Sequence, residues 1–534
     1  MKARAFLLAI LATALTLLIL GLGGWWMILQ SSVLRLQGQQ LHIPAVARFI
    51  PRTAFMSFHL LTTPEWPVRY ARAIALPGQR NQVEETISTI RDEIFLLAGL
   101  DYSHELENWV GNEISFALFS SSDGKKEGGW LLALNSRDFE ASRRFLQRFW
   151  ETRRVNNSSI TISNYRGIGI INGQSSLHSQ QNKLFATALI DNTEFLIASS
   201  PSILQEALDV SEIDELNQVH DPNILGSIDE MRNGVALLVL HPDAVGNQLS
   251  VSQVYDISEF PEVVATLQPT DSALVINSLF HFNEELPTFS STSRSTFLQD
   301  LEGDIQVLGF SNGPNLLNNT EKIDDYPWLV TLVNNLKDTM MKYRGSFFSS
   351  VVQSTLEPFT WVETSKGWLI RTSSKDPNPS KLTDNFKKQD LVEAPLLIDN
   401  FPTKIWTHLK ANKRSSKLSN QPLEASLIGV RQESNNFAWW AQNLEVLRER
   451  QQNPRGGVSI LTQLESLNAK DSSYGLVLAA EPAQTLIGKW KALSWLEKLS
   501  NRQLISRVQG IAVNVSPSQI SNNNVNVKAS ILFR

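Results

Sequence analysis

The chain has 534 residues, 42% of them hydrophobic and 19% charged, with 14 Trp and 25 Phe. That is too long for one ordinary core and too apolar for bulk disorder, so two or more folded units are predicted. A formal net charge of -5 gives no field that would gather phosphates, which excludes nucleic acid as a partner class, and zero cysteines exclude disulfides, thiolate metal sites and a cysteine nucleophile.

Residues 1–30, MKARAFLLAILATALTLLILGLGGWWMILQ, carry no charge from Ala5 to Leu29. As a helix this run would extend about 37 Å, more than the roughly 30 Å of a bilayer's hydrocarbon core. It ends in Trp25, Trp26 and Met27 rather than in a small-residue cleavage site, so an uncleaved transmembrane anchor is predicted. Lys2 and Arg4 precede it, which predicts a cytoplasmic N-terminus and an extracytoplasmic bulk. Residues 31–44 read as a polar stalk.

Pro51 to Leu60 alternates as a strand, and Val83, Ile87, Ile90, Ile94 and Leu97 mark an amphipathic helix stopped by Gly99. Short β-rich runs follow at 113–121, 129–136, 159–165, 167–173, 183–191 and 194–200, consistent with an antiparallel meander. Between two of them, residues 137–154 form a helical pattern for which Asp138 is placed as a cap.

Further along, the chain repeats itself. Gly129, Trp130, Leu131, Leu132, Ser136 and Asp138 align at constant offset with Gly367, Trp368, Leu369, Ile370, Ser374 and Asp376. The run from 183 resembles that from 422, the run from Asn233 that from Ser473, and 271–282 resembles 524–533. At a shorter offset 111–122 resembles 302–313, and 324–343 stands where a counterpart of the 81–98 helix is missing. Together these predict an α+β chain: an N-terminal transmembrane helix, then two tandem duplicated modules of mainly antiparallel sheet covered by amphipathic helices, spanning 45–285 and 286–534.

Chemistry is sparse. The eight histidines show no metal-ligand spacing; His104 with Glu105 and Glu107, and His241 with Asp243, are the nearest approaches and read as surface or cap residues. No nucleophile elbow is present, and RGIGIING lies between strands rather than before a helix, so neither catalytic residues nor a cofactor is predicted. Two features suggest an interaction surface: the basic loop with Lys410, Lys413, Arg414 and Lys417, and the adjacent Trp439 and Trp440, which must point to opposite faces of a strand.

The stretches FIPRTAFMSF and GLDYSHELENWVGNE, the latter Gly99 to Glu113 with Asp101, Trp109 and Gly111, resemble a family of single-pass membrane proteins widespread in cyanobacteria, whose extracytoplasmic region is a domain of unknown function. The resemblance implies a plasma or thylakoid membrane location with the bulk in the periplasm or thylakoid lumen, and it transfers no catalytic residue. The expected role is a membrane-anchored scaffold or assembly protein that binds a membrane or envelope protein. The alternatives are a carrier of lipid, pigment or other apolar ligand in a cleft between the modules, and an enzyme with a nonlocal site.

Overall fold

The structure, a computed structural model, describes residues 39–533 except 120–127, 154–159, 176–182, 249–259, 285–303, 313–314, 319, 357, 378, 399, 412–422, 435–436, 453–459, 461–462, 465–466, 468–471 and 519–520. Its first ten strands are β1 (Met56–Leu60), β2 (Val110–Leu118), β3 (Trp130–Ser136), β4 (Thr161–Tyr165), β5 (Ile168–Ser175), β6 (Lys183–Ile190), β7 (Glu194–Ala198), β8 (Ala236–Leu240), β9 (Glu262–Pro269) and β10 (Ala273–His281). The next ten are β11 (Ile305–Ser311), β12 (Phe359–Thr364), β13 (Gly367–Ser373), β14 (Leu391–Ile398), β15 (Phe401–Ala411), β16 (Leu423–Ser434), β17 (Phe437–Ala441), β18 (Tyr474–Ala479), β19 (Val508–Pro517) and β20 (Asn524–Phe533).

Antiparallel pairing orders the first ten as β4, β5, β6, β7, β3, β2, β1, β8, β9, β10. The second ten run β14, β15, β16, β17, β13, β12, β11, β18, β19, β20, the same order strand for strand. Each half ends on its tenth strand, and those two strands pair with each other from Ala273↔Leu532 to His281↔Asn524.

This corrects the expected architecture. The strands do not close into two separate modules; they form one 20-stranded antiparallel sheet. The reason lies in the last strand of each half, whose outer row of amides and carbonyls has no partner within its own half and finds one in the equivalent strand of the other. The transmembrane part is corrected as well: among the described residues no helix is long and apolar enough to cross a membrane. Residues 1–30, where that helix was expected, lie outside the described residues, and the single-pass placement in a plasma or thylakoid membrane is not carried by the structure.

The recurring Gly-Trp phrase forms β3 and β13, which hold equivalent places. The match of 111–122 to 302–313 paired β2 with β11, but β11 occupies the place of β1, which explains its shorter offset. Helix Pro327–Ser354 lies between β11 and β12 as helix Arg80–Leu97 lies between β1 and β2.

Both faces of the sheet are covered in the middle of the first half. Leu131 and Ala133 point to one side, with Leu204, Ala207 and Leu208 of helix Pro201–Ser211; Leu132 and Leu134 point to the other, with Phe145, Phe149 and Trp150 of helix Phe139–Arg153. Strand side chains alternate, so a strand buried on both sides must be apolar throughout, as Leu131–Leu134 is. Asp138 caps the second helix, accepting from the Ala141 amide at 3.0 Å. Across the join, Val245, Phe260 and Val263 of the first half pack with Tyr326, Trp328 and Val525 of the second.

Candidate functional site

At the end of the joined strands, register alone brings three polar side chains into a row. Glu262 of β9 faces His281 of β10, which faces Asn524 of β20, so the row crosses from one half of the chain to the other. Cross-strand partners share a face, and this face is covered by helix Pro222–Met231. That helix starts where Asp221 accepts from the amides of Asn223 (2.9 Å) and Ile224 (3.3 Å) and Pro222 occupies the first turn.

Asn223, Ser227 and Glu230 then recur at helical spacing on the side facing the sheet. Asn223 Nδ2 donates to Glu262 Oε2 at 2.7 Å, and Ser227 Oγ lies 2.8 Å from His281 Nε2. Glu230 accepts from Ser518 Oγ at 2.7 Å and from Asn526 Nδ2 at 3.3 Å. One helix of the first half is thereby tied to β9, β10 and β20.

Beside this row opens a cleft of about 610 Å³, lined among others by Arg52, Asp221, His241, Glu262, His281 and Asn524. Arg52 is held by backbone carbonyls, donating to Asn217 O at 3.0 Å and His220 O at 2.7 Å, and its Nε lies 3.9 Å from Asp221. Burial pushes the Glu262 carboxyl up to about 7, against the Asn223 hydrogen bond, which lowers it; Asp221 adds to the rise and Arg52 opposes it. Burial lowers the pKa of His281, while the Asn524 hydrogen bond raises it. Near neutral pH, therefore, the cleft presents a neutral imidazole and a carboxyl that is partly protonated.

The hydrogen-bond network fixes how these groups can act. Ser227 Oγ lies 2.7 Å from Asn223 O and 2.8 Å from His281 Nε2. His281 Nδ1 lies 3.1 Å from Asn524 Oδ1, which can only accept, so the neutral ring carries its proton on Nδ1. The Ser227 hydroxyl can turn its proton to the Asn223 carbonyl or to His281 Nε2. Among the described residues no group of three or more His, Asp or Glu could hold a metal ion.

The residues singled out from sequence fall elsewhere. Trp439 and Trp440 do point to opposite faces, and each is buried in a cluster: Trp439 with Leu308 and Val430, Trp440 with Trp368, Phe347 and Trp406. Trp440 Nε1 donates to Thr372 Oγ1 at 3.1 Å. Lys410 is exposed near the end of β15, facing Glu424 across the ladder, while Lys413, Arg414 and Lys417 lie outside the described residues. His104 is exposed and sits 3.0 Å from Asp101 in a local turn, and His241 Nδ1 lies 3.6 Å from Asp243 at the cleft wall.

Glu262 and His281 were not singled out from sequence. The signal was in the hairpin: counting back from the turn after Pro269 to the start of β10 at Ala273 places Glu262 opposite His281. No local spacing shows that, and the contribution of Asn524 comes from a strand more than two hundred residues away.

The cleft thus sits on the seam of an antiparallel sheet whose two halves share one strand order. The chain belongs to the family described as protein of unknown function (DUF3352), whose model matches residues 10–533. No curated protein matches it. Partial similarity to solved structures includes crystal forms I, III and IV of TP0453, at 8%, 10% and 8% identity with TM-scores of 0.27, 0.26 and 0.25. These alignments cover 46%, 45% and 44% of this chain and 82%, 81% and 79% of those chains, and with TM-scores this low no argument is drawn from them.

Proposed function

We propose that this protein is a non-catalytic binding protein of the scaffold or assembly type, and that its partner protein inserts a polar segment into the seam cleft. The observation that supports this reading is the convergence of Glu262 and His281 from one half with Asn524 from the other on one concavity. A concave site with a few convergent polar groups and a shifted carboxyl is the usual form of a recognition site. Its lining is mostly polar, with Leu279, Phe282 and two prolines as the apolar members, which favours a polar segment over an apolar cargo.

The internal order of the strands supports a second part of the reading: the halves 45–285 and 286–534 descend from one unit, and the site exists only where the two meet. Native mass spectrometry of the full chain gently released from its own cells tests the proposal. Wild type should carry the added mass of a partner, His281→Ala and Asn524→Leu should lose it, and Leu397→Asn on the exposed outer strand β14 should keep it. Retention by both cleft variants together with loss in the β14 variant would move the binding surface to the outer strands.

A further inference from the structure

A second cleft, of about 620 Å³, lies where the two halves touch away from the joined strands. Its wall from the first half is the start of helix Arg80–Leu97 with the turn before it, contributing Gln79, Gln82 and Thr86; the other wall is 501–509, after helix Lys491–Ser500. Asn501 ends that helix in the left-handed conformation at φ 50°, turning the chain so that Arg502, Gln503, Ser506 and Arg507 follow along the opening.

The lining holds two guanidinium groups, five side-chain amides and two hydroxyls, and not one carboxylate. Arg507 donates through Nη1 to Gln79 Oε1 at 2.8 Å and through Nη2 to Gln82 Oε1 at 3.3 Å. These neutral acceptors fix the guanidinium plane without cancelling its charge. Arg502 pairs with Glu85 at 3.8 Å, but that carboxylate is 70% exposed and the pair is long, so water screens most of it. Glu497, the other nearby acid, is turned to the backbone, accepting from the amides of Leu504 (2.7 Å) and Ile505 (3.1 Å).

Two positive charges, that of Arg507 held by Gln79 and Gln82, beside a wall without a carboxylate match a dianionic oxyanion, which planar guanidinium groups bind by paired hydrogen bonds. The cleft is several times larger than one phosphate group, and the amides and hydroxyls around the arginines are donors and acceptors for hydroxyl groups. We infer that this cleft binds a hydroxylated organic phosphate, with Arg502 and Arg507 on the phosphate and Gln79, Gln82 and Gln509 among the groups facing the hydroxylated body. The site is distinct from the seam cleft and shares no lining residue with it.

Isothermal titration of the full chain tests the assignment, with glucose 6-phosphate as the probe and glucose, inorganic phosphate and phosphatidylglycerol vesicles as the other arms. Glucose 6-phosphate should bind, more weakly as salt rises, and at least about tenfold more tightly than either glucose or inorganic phosphate. Arg507→Gln should weaken it about tenfold or more, and Arg502→Ala severalfold. Because Arg507 also bridges the two walls, the exposed Arg502 supplies the variant that leaves folding intact. No heat with glucose 6-phosphate, unchanged affinity in Arg502→Ala, equal binding of inorganic phosphate, or binding confined to the vesicles would each overturn the assignment.

Discussion

Replacing Glu262 by glutamine isolates a single ionisation within the seam. Burial raises this carboxyl from 4.5 to about 7. A folded-state value above the unfolded one means the native protein holds its proton while the unfolded chain has already released it. Below about pH 4.5 both states are protonated and the group contributes nothing. Between about 4.5 and 7 the unfolded state alone ionises and stability falls as pH rises; above 7 the loss is complete. A rise from 4.5 to about 7, at about 1.4 kcal/mol per tenfold change in proton affinity, makes that loss about 3.5 kcal/mol.

Glutamine keeps the shape, can still meet Asn223 and does not ionise, so the variant should lack this slope. Guanidinium unfolding of both proteins at pH 5 and pH 8 is the assay, with the difference between variant and wild type as the quantity read. His281 and His59 titrate in overlapping ranges with the opposite sign, and that subtraction cancels them. The variant should gain about 2.5 kcal/mol relative to wild type on going from pH 5 to pH 8, the first part of the loss falling below pH 5. An equal offset at both pH values would refute the claim that Glu262 is desolvated in the native cleft.

Three further outcomes follow from the packing. His59 is 1% exposed, bonded at 2.7 Å to Ser115 Oγ, and burial holds it down to about 4. Wild type should therefore lose stability as pH falls from about 6.5 to 4, and His59→Gln should flatten that limb by about 3 kcal/mol, read from acid unfolding curves. Gly309→Ala would place a methyl group 2.0 Å from Trp361 Nε1 across β11 and β12, and should cost about 1–3 kcal/mol in chemical denaturation. Phe347 stacks on Phe386 at 4.6 Å inside the second half, so Phe347→Ala should cost about 3–5 kcal/mol by the same measurement.

What was legible in the sequence follows from the range of each interaction. The helix over 80–97 and the strands repeating the Gly-Trp phrase are encoded in local periodicity and turn residues, and the order of recurring runs carried the likeness of the two halves. The join between β10 and β20 is not legible there, although 271–282 and 524–533 align as counterparts. Similarity shows that two strands do the same job, but not that they pair with each other.

Trp439 and Trp440 show the same division. Alternation sets their opposite directions, yet what covers each face comes from elements distant in sequence: Leu464 and Leu467 pack in the cluster of Trp439, and Phe347 and Phe386 in that of Trp440. The seam cleft joins Glu262, His281 and Asn524 through two ladders, and only the first of those, a hairpin, could be counted from the sequence.

The binding claim is met most directly by placing a photo-crosslinking residue at Asn522, which is exposed on the turn bordering the seam cleft, and irradiating intact cells that make the full chain. The account predicts one discrete adduct from Asn522 that disappears in the His281→Ala background and is not formed from Ile162, exposed on the outer strand β4. Adducts formed equally from both positions, or an Asn522 adduct indifferent to His281, would contradict it.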